Sequence, residues 1–242
     1  MHYPIKVIIG LFAATLCLSG HVGGVQAEAP EKSKTTTTPP PGGVPGGTVA
    51  RAATADVQHG KTLFKENCEA CHQEEGRGKP GFAPSLTNPE LLTAASDRFL
   101  TATIREGRAP TPMPPFGEIL KASDIQDIIG YLRSYSQASV IGDQLDASPP
   151  GMGDPHLGKR LFAQICAGCH GPNGEGYESS GSGTAIGKPG FLSKASAGFI
   201  RYIILHGRSN TPMRGFSGPG GLANLTNEEV DGLVAYLRSL RN

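Results

Sequence analysis

Two stretches of this chain hold residue types at a spacing that serves a definite chemistry: Cys68-Glu69-Ala70-Cys71-His72 and Cys166-Ala167-Gly168-Cys169-His170. Each reads Cys-x-x-Cys-His, the attachment pattern of a c-type haem. Two thiols so placed can reach the two vinyl groups on one edge of a porphyrin and form thioethers, and the next residue brings an imidazole to the iron. A single Cys-x-x-Cys also reads as a redox dithiol, half a zinc site or a local disulfide. Two copies, each ended by His and each inside a longer matching segment, favour haem attachment over all of these. Cys68, Cys71, Cys166 and Cys169 are thus expected to carry two covalently bound haem c groups, with His72 and His170 as axial iron ligands.

An iron held by one histidine needs a sixth ligand or an open face. Electron carriers close that face, whereas oxygen and peroxide chemistry needs it open. The chain has only 4 methionines: Met1, Met113, Met152 and Met213. Met113 lies 41 residues after His72 and Met213 lies 43 after His170, both in a Thr-Pro-Met loop. A thioether on a proline-stiffened loop can be held against iron at small entropic cost. Gap-filling core methionine is the alternative reading. It explains one such residue easily and two in matching loops poorly, so Met113 and Met213 are expected as the second axial ligands. Met152 falls between the copies and is read as structural or exposed, and His59, His156 and His206 are read as surface or internally satisfied histidines rather than ligands.

The elements that must position these groups repeat. The motifs begin 98 residues apart in a chain of 242, which favours two small domains. Trp is absent and aromatics make up 6% of the chain, so each core is thin without the apolar mass of a porphyrin. Helical spacing predicts helices over 56–67, 96–106 and 123–135, with Asp56 as N-cap and Gly107 as a stop. Gly60-Lys61-x-Leu63-Phe64 is answered by Gly158-Lys159-x-Leu161-Phe162, Phe99 by Phe199, and Gly107-Arg108 by Gly207-Arg208. Tyr131-Leu132-Arg133-Ser134 is answered by Tyr236-Leu237-Arg238-Ser239. The fold class expected is all-α, two tandem domains of a few short helices each wrapped on a haem. Between the motif and the Met loop the Gly-Lys-Pro-Gly-Phe run at 78–82 is matched to that at 187–191. On that register the second copy gains a Gly/Ser-rich stretch, 174–187, expected as a mobile surface loop, and lacks a counterpart of Ala83-Pro84-Ser85-Leu86.

The start of the chain reads as an export signal: Lys6, an apolar stretch over 7–18, then Val25-Gln26-Ala27 as a cleavage site. An uncleaved anchor is the alternative, although a dozen apolar residues is short for a bilayer span. The boundaries expected are 1–27 signal peptide, 28–53 disordered tether, 54–138 first domain, 139–153 linker and 154–242 second domain. Thioether haems are attached outside the bacterial cytoplasm, so a periplasmic address agrees with the motifs. If Ala27 is the last residue removed, all remaining cysteines belong to the motifs and none is left for a thiolate iron ligand. Residues 51–148 hold 10 Lys+Arg against 13 Asp+Glu, and 149–242 hold 9 against 6. No basic run points to nucleic acid.

On its Cys-x-x-Cys-His motifs, Gly/Phe first helices, Met loops and Tyr-Leu-Arg-Ser last helices, the chain resembles class I c-type cytochromes in a tandem diheme arrangement. The resemblance covers about residues 54–242. It implies that first and last helices cross at Gly60 with Tyr131 and at Gly158 with Tyr236. It also implies that the carbonyl of Pro84 receives the imidazole N–H of His72, with Pro189 the nearest candidate in the second copy. The function implied is outer-sphere electron transfer without enzymatic turnover, with redox protein partners such as a quinol-oxidising complex, a terminal oxidase or a reductase. A haem-bearing subunit of a membrane-associated oxidoreductase, tethered through the N-terminal segment, is an alternative. So is a diheme oxidoreductase acting on a small inorganic substrate. Thiosulfate-oxidising relatives of that layout use a Cys ligand, which the cysteine count leaves no residue for, and diheme peroxidases need a five-coordinate haem.

Overall fold

The computed structural model describes residues 55–218 and 220–241. The signal and tether expected over 1–27 and 28–53 lie outside the described residues. Among the described residues the protein is helical, with only two isolated bridges, Lys79 with Ala83 and Gly207 with Arg214.

Helix α1 (Val57–Asn67) starts where Asp56 accepts from the N–H groups of Gln58 and His59, both at 3.0 Å. That satisfies two of the helix's orphan donors. The short α2 (Glu69–His72) ends the haem motif, and α3 (Pro89–Ala94) and α4 (Asp97–Glu106) follow. Helix α5 (Ala122–Arg133) crosses α1 so closely that a Cβ on Gly60 would lie 1.9 Å from the Asp127 carbonyl oxygen. Tyr131, one turn on, meets Phe64 with ring centroids 5.4 Å apart. The glycine and the tyrosine of the crossing therefore have different partners, Asp127 and Phe64.

The second copy is built alike. Helix α7 (Pro155–Leu161) is capped by Asp154 and widens through a π turn, Phe162–Cys166, into α8 (Ala167–His170). After α9 (Pro189–Leu192) and α10 (Ala197–His206), α11 (Asn227–Ser239) crosses α7. A Cβ on Gly158 would lie 1.9 Å from the Gly232 carbonyl oxygen, and Phe162 meets Tyr236 at 5.4 Å. The arginine of each Tyr-Leu-Arg-Ser run braces this frame. Arg133 donates to the carbonyls of Leu92 and Ala95, and Arg238 donates to those of Leu192 and Ala195 at 3.1 and 2.7 Å.

These braces correct the register read from the sequence. Leu92 and Ala95 answer Leu192 and Ala195, and Pro89 and Pro189 both stand first in a helix. Residues 187–191 therefore correspond to 87–91 and not to the look-alike run at 78–82. That run instead forms a tight turn, closed by bonds of 2.8 and 2.9 Å between the backbones of Lys79 and Ala83. In a chain with 34 Gly and 20 Pro, a Gly/Pro-rich pentapeptide recurs without structural equivalence.

The stretch read as linker contains a further helix, α6 (Gly142–Ala147). Its Asp146 accepts from the hydroxyl of Ser96, the N-cap of α4, at 2.6 Å. The two copies share one apolar core. Phe99 stacks on Phe199 at 4.8 Å, and Phe191 stands edge-on to Phe99 at 6.3 Å. Asn88 donates to the Ser209 carbonyl at 2.7 Å, and Lys194 lies 3.5 Å from Glu106.

Candidate functional site: two haem attachment sites

In the first copy His72 is buried at the end of α2, and its Nδ1 donates to the Pro84 carbonyl at 2.9 Å, 12 residues on. A ring whose Nδ1 is so engaged keeps Nε2 available for a metal and has its plane fixed. In the second copy the Nδ1 of buried His170 donates to the Thr184 carbonyl at 2.8 Å, 14 residues on. Pro189 has no part in this, since it opens α9. The counterpart of Ala83-Pro84-Ser85-Leu86 is thus Gly183-Thr184-Ala185-Ile186, which the sequence register had hidden.

The stretch 174–187 is correspondingly not a loose surface loop. Gly183 donates to the Cys169 carbonyl at 2.8 Å and Gly187 to that of Gly174 at 2.9 Å, while Gly176 and Ala185 are buried. A Cβ on Gly183 would lie 2.7 Å from the His170 ring, so only glycine lets the chain pass there.

Burial lowers the pKa of both His72 and His170 below the usual 6.5, against the opposing pull of the carbonyl bonds. The imidazoles are therefore neutral at physiological pH, the form that binds metal. Burial pushes the Cys68 thiol up to about 12 and that of Cys166 up to about 11. Such thiols are protonated at neutral pH, unlike the low-pKa thiolate of a redox dithiol. Cys71 and Cys169 are exposed.

Met113 and Met213 are half-buried in matching loops. Their N–H groups face the hydroxyls of Thr111 and Thr211 at 3.4 and 3.1 Å, and their carbonyls accept from the backbones of Arg108 and Arg208 at 3.0 and 2.5 Å. Gly107 and Gly207 make this tight return possible: φ is 67° and 72°, and a Cβ would meet the methionine carbonyl oxygen at 2.7 and 2.6 Å. Met152 is fully exposed. His156 and His206 are exposed, and exposed His59 is bonded to Asp127 at 2.8 Å.

The Gly107-Arg108 and Gly207-Arg208 pairs stand out in the sequence only as repeats, and the structure gives their arginines a role. Arg108 crosses to the second copy and donates to the Ala185 carbonyl at 2.6 Å, and Arg208 crosses back to that of Ser85 at 2.5 Å. Both Nε atoms are buried and lack a hydrogen-bond partner among the described residues. Burial draws the Arg108 guanidinium down to about 10, so it stays charged at neutral pH, and Arg208 is lowered in the same way. Two enclosed cations with an orphaned donor each require an anion. Haem brings two carboxylates on its edge, so the residues fit the group.

Residues 55–132 match the family model "Cytochrome C oxidase, cbb3-type, subunit III", and residues 156–241 match the model "Cytochrome c". These are two cytochrome c domains in tandem. The cytochrome accordingly carries two covalently bound haem c groups, and its chemistry is electron transfer. Over 181 residues it is 30% identical to the cbb3-type cytochrome c oxidase subunit CcoP of Rubrivivax gelatinosus, covering 75% of this chain and 53% of that one. With the cbb3-type oxidase subunit FixP of Sinorhizobium medicae it shares 27% identity over 76% of this chain and 60% of the relative. The chain thus spans between half and two thirds of the length of these relatives. A chain of the reducing HAO-like protein complex of Kuenenia stuttgartiensis aligns over 76% of this chain and 96% of that one, with a TM-score of 0.46 and 21% identity.

Proposed function

We propose that this diheme cytochrome works in the periplasm as a relay, taking single electrons from a quinol-oxidising donor and passing them to a terminal oxidase. His72 with Met113 would hold one haem iron, and His170 with Met213 the other. The observation that carries this reading is the duplicated ligand geometry. In each copy a backbone carbonyl holds the imidazole by Nδ1, and a Thr-Pro-Met loop is tied back to a Gly-Arg turn. Haem supplies the one-electron couple. The chain's own residues hold that couple rigid, exclude water through the shared core, and balance charge with Arg108 and Arg208. A rigid, closed site needs little reorganisation when charge changes, which suits outer-sphere transfer and leaves no open face for a substrate.

The names of the curated relatives favour an oxidase as electron acceptor. They also favour the second reading, a haem-bearing subunit docked beside a membrane complex through its N-terminal segment. No helix among the described residues is long and apolar enough to cross a membrane. The apolar stretch 7–18 lies outside them and serves in this proposal as the export signal. Carbonate extraction of membranes separates the two readings: release of the cytochrome supports the free relay, and retention supports the anchored subunit. Absence of peroxidase or thiosulfate turnover by the purified holoprotein supports a carrier over an enzyme.

A further inference from the structure

Arg108 and Arg208 form a crossed pair at the seam between the domains. Each arginine sits on the methionine loop of its own domain, its backbone N–H donating to the carbonyl of Met113 or Met213. Each guanidinium then reaches the histidine loop of the other domain. Arg208 holds the Ser85 carbonyl, next to the Pro84 carbonyl that holds His72. Arg108 holds the Ala185 carbonyl, next to the Thr184 carbonyl that holds His170.

We propose that Arg108 and Arg208 are crossed positioning residues, each serving both haem sites, so that the two redox centres respond as one coupled unit. This inference rests on His72 and His170 as iron ligands. Charge adds an independent link. Each cation also sits on the methionine loop of its own domain, its backbone N–H bonded to the Met113 or Met213 carbonyl, so its charge bears on that site as well. Both sit where solvent screening is weak, since each Nε is sealed from water. A positive charge near a haem favours the ferrous form, because reduction adds an electron. Removing one such charge should therefore lower the potential of both haems, whichever domain supplied it.

The test is a spectroelectrochemical titration of purified holoprotein, with each wave assigned to its haem by haem-methyl proton resonances. Arg108→Gln and, separately, Arg208→Gln should each shift both one-electron equilibria about tenfold toward the oxidised form, about 59 mV per haem. Arg241→Gln, the same charge change at an exposed position, should shift neither. Arg108→Lys keeps the charge but not the fork, so it should move both waves the same way by a smaller amount. A purely structural brace would show no such graded rescue. If the Gln variants fail to assemble, the Lys variant decides: movement of both waves supports the coupling. Movement of one wave only, or of none, overturns it. Should wild-type protein lack two haem waves altogether, the ligand assignment fails rather than the crossed coupling.

Discussion

Thr184 stands to His170 as Pro84 stands to His72, each offering a backbone carbonyl to the imidazole Nδ1, at 2.8 and 2.9 Å. The acceptor belongs to the main chain, so the side chain at position 184 is free to differ between copies. Thr184→Ala should therefore leave the potential of the second haem nearly unchanged. Gly183→Ala should not be tolerated, because its Cβ would meet the His170 ring at 2.7 Å. The expected outcome is about 1–3 kcal/mol of lost stability together with a displaced second wave, measured by denaturant unfolding and potentiometry of the holoprotein.

The helix crossings make a second prediction. Ala in place of Gly60 or Gly158 gains up to about 1 kcal/mol of helix propensity. It also drives a methyl to 1.9 Å from a backbone oxygen that cannot move without displacing α5 or α11. Overpacking of about 1–3 kcal/mol then exceeds the gain, and both variants should unfold at lower denaturant than wild type. A rise in stability for either would contradict this packing.

Arg238 closes the second domain by satisfying the carbonyls of Leu192 and Ala195. Arg238→Ala leaves both without that donor and should cost about 1–3 kcal/mol. Arg238→Lys, with no fork to span two acceptors, should recover less than half of the loss. Thermal unfolding of the three proteins, each with its haems counted, reads the difference.

His59 and Asp127 fasten α1 to α5 at the surface. The hydrogen bond that His59 donates to Asp127 raises the His59 pKa above the usual 6.5. A raised value means that the folded state favours the imidazolium. The stabilisation is thus fully present below the unfolded value of 6.5 and fades as pH rises through the higher folded value. A proton NMR titration should show His59 titrating above 6.5, and His59→Gln should flatten the fall in melting temperature across that window. A His59 that titrates below 6.5 would contradict it.

Much of this was legible in the sequence because covalent chemistry and helical spacing leave local marks. The Cys-x-x-Cys-His runs, the Asp56 cap, the Gly107 stop and the repeated Tyr-Leu-Arg-Ser ends are short-range signals. What the sequence hid was long-range or carried by the backbone. A carbonyl acceptor such as that of Thr184 has no side-chain signature, so the loop over 174–187 read as loose, and a chance Gly-Lys-Pro-Gly-Phe match shifted the register. Helices α3, α6 and α9 are too short to show periodicity. The arginines were visible as repeats, but their partners lie across the domain seam, 77 and 123 residues away along the chain.

Two irons, each closed by a histidine and a methionine, are the premise of electron relay without substrate chemistry. The most direct measurement is the optical spectrum and redox titration of holoprotein carrying Met113→Ala or Met213→Ala. Each substitution should remove about half of the far-red methionine–iron absorbance and lower the potential of one haem, because methionine ligation is what raises it. An unchanged far-red absorbance and unchanged potentials in both variants would contradict the assignment.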